Sequence, residues 1–272
     1  MSATTVTSQP TARPAVRRER AVHAPIPFRR LVSVEWRKMF DTRSGFWLLV
    51  AIAALAVIAT GATLVFGNRD NLGYGSFASA VGVPITVILP VLGALSVSSE
   101  WGQRTALTTF TLVPSRGRVI AAKLVTVVTV GLASLVVALA AGAVGNLLNG
   151  AIIGHAPLWD VSWRTILQIV LVDQIGMLMG FMLGVLFRSS PGAIVGYFVY
   201  ALVLPGVSGA LASAQQWWAD HAAWFDLRTA SIPLYDSGVT GQEWAQLGVA
   251  TLIWLVLPLA IGLRMLMRSE VK

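Results

Sequence analysis

Six long apolar runs punctuate the chain, and each is long enough to cross a membrane as a single helix. A hydrocarbon core about 30 Å thick needs roughly 20 apolar residues, because an α-helix rises about 1.5 Å per residue. The runs that meet this requirement are Phe46–Phe66, Phe77–Val97, Val119–Leu148, Thr165–Phe187, Ala193–Ser213 and Ala245–Met267. We number them spans 1 to 6 and predict an all-α integral membrane protein whose six-helix transmembrane domain covers residues 46–267.

Helix-disturbing residues within these runs modify the expectation. Pro84 and Pro90 lie in span 2, and a proline in a helix interior removes a backbone hydrogen bond. We therefore expect span 2 to be bent or locally unwound. Span 3 is long, and we expect a tilt or a break near Gly142 and Gly145. Only the short turn Arg188–Pro191 joins spans 4 and 5, so these two spans must be antiparallel neighbours.

Cations are distributed unevenly between the two sides of the predicted bundle. Of the 20 Lys and Arg residues, 17 lie on the side that holds both termini, whereas Arg69, Arg164 and Arg228 lie on the other. Loops rich in Lys and Arg stay in the cytoplasm, so both termini are predicted to be cytosolic. Residues 1–27 are predicted to form a disordered cytosolic tail, and residues 268–272 a short cytosolic tail.

Composition supports a membrane protein and removes several classes of function. Hydrophobic residues make up 56% of the 272 positions, charged residues 12%, and the mean hydropathy is +0.72. Cysteine is absent, which excludes thiol catalysis and cysteine-ligated metals. No Gly-Lys pair occurs, so the chain has no phosphate-binding P-loop. All three histidines lie outside the spans, so we predict that the chain is not an enzyme and that it has no cofactor or metal site. Because the cations lie between apolar runs and form no separate basic domain, we also predict no nucleic-acid partner.

An amphipathic segment precedes span 1. At about 100° per residue, apolar side chains share one half of a helix and most cations lie on the other half. The apolar set is Phe28, Leu31, Val32, Trp36, Met39 and Phe40. We predict an amphipathic interfacial helix over residues 28–45, which acts either as a membrane anchor or as a lever that transmits movement from a cytosolic partner. Glu35 falls within the apolar half, where a carboxylate is costly without a cation, so it is expected to contact protein.

The segment Ser98–Arg118, between spans 2 and 3, is unusually long for a connection between helices. Neighbouring helices in a bundle need only about 2–8 residues between them. The apolar side chains here predict a short amphipathic helix that Pro114 ends. Those side chains are Trp101, Leu107, Phe110 and Leu112. We interpret this segment as a cytosolic coupling helix that docks on another protein.

The two segments carry four linked motifs. They are Glu35-Trp-Arg-Lys, Glu100-Trp-Gly-Gln-Arg-Thr-Ala-Leu, Pro114-Ser-Arg-Gly-Arg, and Lys123 at the start of span 3. In this order they resemble the membrane subunits (permeases) of type-2 ATP-binding-cassette (ABC) exporters, and the resemblance covers the chain from about Phe28 to Met267. It implies six spans, a coupling loop after span 2, and an outer helical loop between spans 5 and 6.

The resemblance also implies partners and site residues. In that family the loop after span 2 rests on the ATPase subunit. The matching residues here, with the coupling role implied for them, are Glu35, Glu100, Arg104, Thr105, Pro114, Ser115, Arg116 and Lys123. ATP and Mg²⁺ would be bound by that separate cytosolic ATPase. A second permease copy or a paralogue, with membrane lipid around both, would complete a transporter in the plasma membrane of a bacterium.

Span 4 combines a packing motif with a charged residue. Gly176, Gly180 and Gly184 repeat every four residues, a spacing that lets another helix approach closely. Asp173 lies within about 20° of Gly180 and Gly184 on the helical wheel, so it should face protein or a cavity. Asp173 either ties helices together as a protonated or hydrogen-bonded group, or lines a substrate path that favours cationic or amphipathic cargo.

Two functions remain open at the level of sequence. The leading hypothesis is the permease subunit of an ATP-driven ABC exporter, which moves a hydrophobic or amphipathic cargo such as a drug, antibiotic or lipid outward with a separate ATPase. The alternative is a membrane scaffold or immunity factor that does not transport.

Overall fold

The structure is a computed structural model that describes residues 26–102, 116–236 and 238–268. Within these ranges the chain is helical and contains no β-strand. The helices are α1 Phe28–Asp41, α2 Arg43–Phe66, α3 Tyr74–Gly102, α4 Arg116–Ile153, α5 Trp163–Phe187, α6 Ser190–Ala214, α7 Gln216–Phe225, α8 Leu227–Ser231 and α9 Gly241–Arg268. The predicted tails, residues 1–27 and 268–272, lie outside the described ranges except for residues 26, 27 and 268.

Six of the described helices, α2 to α6 and α9, are long and apolar enough to cross a membrane. The prediction of an all-helical chain with six candidate spans is therefore confirmed. Each helix extends a few residues beyond at least one end of its predicted span. The amphipathic helix α1 ends at Asp41, earlier than predicted, because Thr42 is extended and its side chain accepts a hydrogen bond from the Gly45 amide at 3.3 Å. Such a cap begins a new helix.

Helix α3 remains α-helical through both of its prolines, so the expected local unwinding is not observed. Pro90 has no amide hydrogen and leaves the carbonyl of Thr86, four residues earlier, without its helical donor. The Tyr197 hydroxyl of α6 donates to this carbonyl at 2.7 Å. A neighbouring helix thus supplies the missing bond, as is common in membrane bundles.

Helix α4 contains no break near Gly142 and Gly145. Of the two alternatives given for this span, the break is therefore not observed, and the tilt stays a prediction. It runs for 38 residues, or about 57 Å, which exceeds the thickness of a hydrocarbon core. A Cβ atom at Gly145 would lie 2.6 Å from side-chain atoms of Phe77 and Thr60. This glycine therefore makes room for close packing of α4 against α2 and α3.

The core of the bundle is formed by α3, α4 and α5. Over its apolar window, α5 is 56% buried, whereas α6 is only 11% buried. One apolar cluster joins residues of α1 to α5 and the end of α9, and a second joins α5, α6, α8 and α9. The peripheral helices α2, α6 and α9 leave most of their apolar surface exposed.

The contact between α3 and α5 is the most extensive one between described helices. A Cβ atom at Gly180 would collide with the backbone of Pro90, and one at Gly184 would lie 2.6 Å from the carbonyl oxygen of Ala94. At Gly176 the nearest atom, Pro90 Cγ, would be at an ordinary 3.7 Å. Two glycines of the repeat therefore sit where the two helix backbones meet.

The segment between α6 and α9 is helical within residues 216–235, where α7, α8 and a 3₁₀ turn follow one another. Leu227, Ala230 and Leu234 are buried against α5, α6 and α9. The indole nitrogen of Trp254, inside α9, donates to the carbonyl of Phe225 at 2.6 Å. This segment, which we call the α7–α8 segment, therefore folds back onto the bundle.

Candidate functional site

Helix α1 turns one stripe of its surface toward the bundle. Leu31, Glu35 and Met39 follow one another at a spacing of four residues and are the buried members of α1. Residues at this spacing lie on one face of a helix. Glu35 is thus placed between two apolar contacts, in the position where an unpaired carboxylate would be most costly.

Glu35 is paired within a buried cluster of four charged residues. Lys123 of α4 donates to Glu35 Oε2 at 2.6 Å and to Glu100 Oε1 at 2.8 Å. Lys38 of α1 donates to Glu35 Oε1 at 2.7 Å and to Glu100 Oε1 at 2.8 Å. We call Glu35, Lys38, Glu100 and Lys123 the ion cluster. Its two positive and two negative charges balance, and it joins α1 to the end of α3 and the start of α4.

The two lysines of the ion cluster lie in different surroundings. The Lys123 side chain is 2% exposed and also contacts the Ser96 carbonyl at 3.3 Å, whereas the Lys38 side chain is 39% exposed. Burial by itself lowers the pKa of Lys38, but the Glu100 and Glu35 carboxylates outweigh it and raise the pKa above its usual value. Lys38 therefore remains protonated at physiological pH and acts as a positive partner of both carboxylates.

Two further arginines, both in the first turn of α4, connect helices at the same end of the bundle. Arg116, the first residue of α4, donates to the Leu266 carbonyl in α9 at 3.1 Å. Arg118 donates to the Ile26 carbonyl, just before α1, at 2.8 Å. The start of α4 is therefore connected to both terminal segments of the described chain.

The sequence-predicted coupling residues fall into two groups. The structure places Lys123 in direct contact with both Glu35 and Glu100, and it places Arg116 at the start of the same helix, α4. Arg104, Thr105, Pro114, Ser115 and the predicted coupling helix lie outside the described residues. The expectation that Glu35 contacts protein agrees with its two ion pairs, but a role of any of these residues toward an ATPase stays a prediction.

Lys38, which also belongs to the ion cluster, was expected from the sequence to lie on the polar face of α1. Its spacing of three residues from Glu35 is the signal that could have identified it, since residues three apart are neighbours on a helix. A cavity of about 220 Å³ borders the cluster and is lined by α1, α2, α3 and α4. The junction between α1 and the bundle therefore contains open space.

Asp173 faces a second, separate cavity of about 80 Å³. The residue is only 5% exposed, and it makes no hydrogen bond or ion pair with any other described residue. The cavity is lined mainly by α5, α6 and the α7–α8 segment, and by Thr86 of α3. The sequence analysis predicted that Asp173 would face protein or a cavity, and the structure places it in such a cavity.

The other residues of this cavity were not identified from sequence. Tyr197 and Tyr200 of α6 line one side, and Tyr235 and the exposed Arg228 contribute from the α7–α8 segment. Burial raises the pKa of the Tyr235 phenol, the charge of Asp173 raises it further, and Arg228 acts in the opposite direction. The cavity therefore combines one buried carboxylate, three phenol rings and one guanidinium at its exposed side.

Among the described residues there is no group of three or more His, Cys, Asp or Glu that could hold a metal ion. The chemistry available is charge pairing in the ion cluster and charge recognition in the Asp173 cavity.

Comparison with known proteins identifies one family. A family model described as "ABC-2 family transporter protein" matches residues 31–204, more than half of the chain. The match begins within α1 and ends within α6, so it includes every member of the ion cluster as well as Asp173. A search of curated proteins finds no match.

Proposed function

The chain belongs to the ABC-2 family of membrane transport proteins, and from this premise we propose that it is the permease subunit of an ATP-driven exporter in a bacterial plasma membrane. A family of membrane transport subunits implies an ABC ATPase as partner. The cargo we propose is hydrophobic or amphipathic, such as a drug, an antibiotic or a lipid.

The ion cluster is the observation that carries this proposal. It joins α1 to the last turn of α3 and the first turns of α4, which are the two helix ends connected through residues 103–115. A force applied to that connection, or to α1, reaches the same four charges. Because buried ion pairs are lost only at a high cost, the junction transmits such a force into the bundle instead of absorbing it.

The transport cycle that we propose follows from this linkage. ATP binding draws two ATPase subunits together on the cytosolic side. The excess of Lys and Arg near α1 supports the proposal that α1 lies on that side. Their movement shifts α1 and the residue 103–115 connection, and the cavity beside the ion cluster provides space for α1 to move. The helices α3 and α4 then change the opening of a path from the inner to the outer side.

A second permease, either another copy or a paralogue, completes the proposed transporter. Helix α6 is 11% buried and α2 is 17% buried over their apolar windows. Lipid covers part of this surface, and the rest is available for the partner permease that encloses the path.

The test is co-purification with an ABC ATPase encoded next to this chain, followed by measurement of ATPase activity in nanodiscs. Glu100→Gln removes one charge of the ion cluster and is expected to reduce permease-stimulated ATPase activity at least about fivefold, the lower end of typical coupling free energies. The matched control is Glu243→Gln, since Glu243 caps α9 at the opposite end of the bundle and glutamine can replace glutamate in such a cap.

Each outcome of this experiment has a defined meaning. Reduced stimulation in Glu100→Gln, with normal stimulation in Glu243→Gln and normal folding of both, supports coupling through the ion cluster. Equal stimulation in both variants removes the ion cluster from the coupling route. Failure of the chain to bind any co-encoded ATPase would leave the membrane scaffold or immunity factor as the better description.

A further inference from the structure

We propose that the Asp173 cavity binds the ammonium group of an amphipathic amine, with Asp173 as counter-ion and the rings of Tyr197, Tyr200 and Tyr235 as walls. The idea that this amine is the transported cargo rests on the proposed function. Binding of the amine to the cavity depends on this chain alone.

Asp173 has no ion-pair partner among the described residues. The residue lies in a membrane-spanning helix and is 5% exposed. An ionised carboxylate in such a position is costly unless a cation pairs with it. Asp173 lines a cavity, so a ligand in this cavity can approach its carboxyl group. A bound cation supplies the ion pair that no described residue makes with Asp173, Arg228 included.

The residues that line the Asp173 cavity suit a cation. Phenol rings attract cations through their negative faces, and this attraction grows when water is excluded. Three of the residues that line the cavity are tyrosines. The Tyr197 hydroxyl is already engaged with the Thr86 carbonyl at 2.7 Å, which fixes its position. A carboxylate surrounded by aromatic rings is a typical environment for an organic ammonium group.

The volume of the cavity limits how much of a ligand it can hold. A volume of about 80 Å³ accommodates an ammonium group and its first carbon atoms, whereas drug-sized ligands occupy pockets of about 300–1,000 Å³. The remainder of a ligand must lie outside the cavity. Val172, Ile175 and Ala201 line the cavity and are themselves partly exposed. The edge of the cavity is therefore apolar, and it fits an alkyl or aryl tail.

Arg228 limits a ligand of the Asp173 cavity to one positive charge. It lines the cavity from its exposed side and forms no ion pair with Asp173. A single ammonium group can contact Asp173 while its tail extends along α6. A second cationic group would approach the guanidinium and be repelled. The ligand is therefore a monoamine with an apolar tail, and not a polyamine.

The experiment measures binding to the purified chain in nanodiscs, without any ATPase. The probe is n-hexylammonium, compared with 1-hexanol and hexanoate, and binding to empty nanodiscs is subtracted. We expect saturable binding of n-hexylammonium to the wild-type chain and none of hexanol or hexanoate. Asp173→Asn should weaken the affinity roughly thirtyfold or more, as expected when one partner of a buried charge pair is removed. Arg228→Gln should leave the affinity unchanged or increase it.

The outcomes separate this inference from the proposed function. Equal binding of hexanol and n-hexylammonium to the wild-type chain would overturn the inference even if Asp173→Asn failed to fold. Equal affinity of wild type and a folded Asp173→Asn variant would overturn it as well. Because no ATPase is present, a positive result stands if the chain proves not to be a transporter. A negative result leaves the coupling experiment on Glu100 unaffected.

Discussion

At the scale of single residues, Lys123 shows how this bundle holds a charge in an apolar setting. Its side chain is 2% exposed, and two carboxylates lie within 2.8 Å of its ammonium group. Removing a charged group from water costs several kcal/mol, which is offset only when the geometry of the ion pairs is good. Lys38 meets the same carboxylates but remains partly hydrated. The two lysines thus share their carboxylate partners but differ in exposure.

This difference predicts unequal costs of removing the two lysines. Lys123→Met removes the buried cation that pairs with both Glu35 and Glu100, and we expect it to lower the free energy of unfolding by about 3–5 kcal/mol. Lys38→Met should cost only about 1 kcal/mol, because solvent screens a partly exposed pair. Chemical denaturation of the detergent-solubilised variants, followed by tryptophan fluorescence, measures both values.

A double variant serves as the control for this prediction. Lys123→Met combined with Glu100→Gln removes one charge of each sign and should be more stable than Lys123→Met alone, because the positive and negative charges of the ion cluster balance again. Equal costs for the two single lysine variants would contradict the importance that we assign to burial.

At the scale of helices, the contact between α3 and α5 organises the bundle. Gly180 meets the backbone of Pro90, and Gly93 of α3 lies against the backbone of Met177 of α5. Glycines on both helices therefore permit the approach, a pattern that favours helix association in membranes. The same region of α3 receives the Tyr197 hydroxyl from α6, so three helices are fixed around the proline.

A matched pair of substitutions tests this contact. Gly180→Ala introduces a Cβ atom that would collide with the Pro90 backbone, and overpacking of this kind costs about 1–3 kcal/mol. Gly176→Ala adds the same atom at an ordinary 3.7 Å from Pro90 Cγ. It should be neutral or slightly stabilising, since alanine favours helices over glycine. Thermal unfolding of the two variants in detergent compares them, and equal midpoints would mean that α3 and α5 are not tightly packed.

Helices α6 and α9 share an irregularity close to the Asp173 cavity. Each contains a π-helical turn, at Val199–Val203 and at Leu252–Val256. The rings of Tyr200 and Trp254, one on each turn, lie 5.9 Å apart, and Trp254 also bonds the α7–α8 segment. Such turns are often found at functional sites. They place two aromatic residues where the spans meet the α7–α8 segment.

At the scale of the whole molecule, the orientation in the membrane follows from charge. The end of the bundle that carries α1 and the ion cluster holds most of the cations, and the opposite end carries the α7–α8 segment. If the first end is cytosolic, the ion cluster faces an ATPase, and the Asp173 cavity, which the α7–α8 segment helps to line, lies toward the outer side. The two proposed sites would then lie at opposite ends of the bundle.

Single-cysteine labelling tests this orientation directly, because the chain contains no cysteine of its own. Asp41→Cys, at the end of α1, and Asp70→Cys, between α2 and α3, both lie at exposed positions. A membrane-impermeant maleimide should label Asp70→Cys in intact cells and Asp41→Cys only after permeabilisation. The reverse pattern would invert the topology and remove α1 from the reach of a cytosolic ATPase.

The number of spans, their approximate limits and the inward direction of Asp173 could be predicted from the sequence. Span length depends on membrane thickness, and the face of a helix depends on local periodicity. Both are properties of neighbouring residues. The limits of α1 and the continuity of α3 were predicted less well, since a single cap at Thr42 and a donor from Tyr197 decide them.

The partners of the charged residues were decided only by the tertiary structure. Glu35 pairs with Lys123, which is 88 positions away in the sequence, and Lys38 pairs with Glu100, which is 62 positions away. Such pairs depend on how α1, α3 and α4 are rotated and positioned against one another, and packing of the whole bundle sets those rotations. The sequence therefore determined which segments are apolar enough to cross the membrane, whereas the packing of the helices determined which charged residues pair with one another.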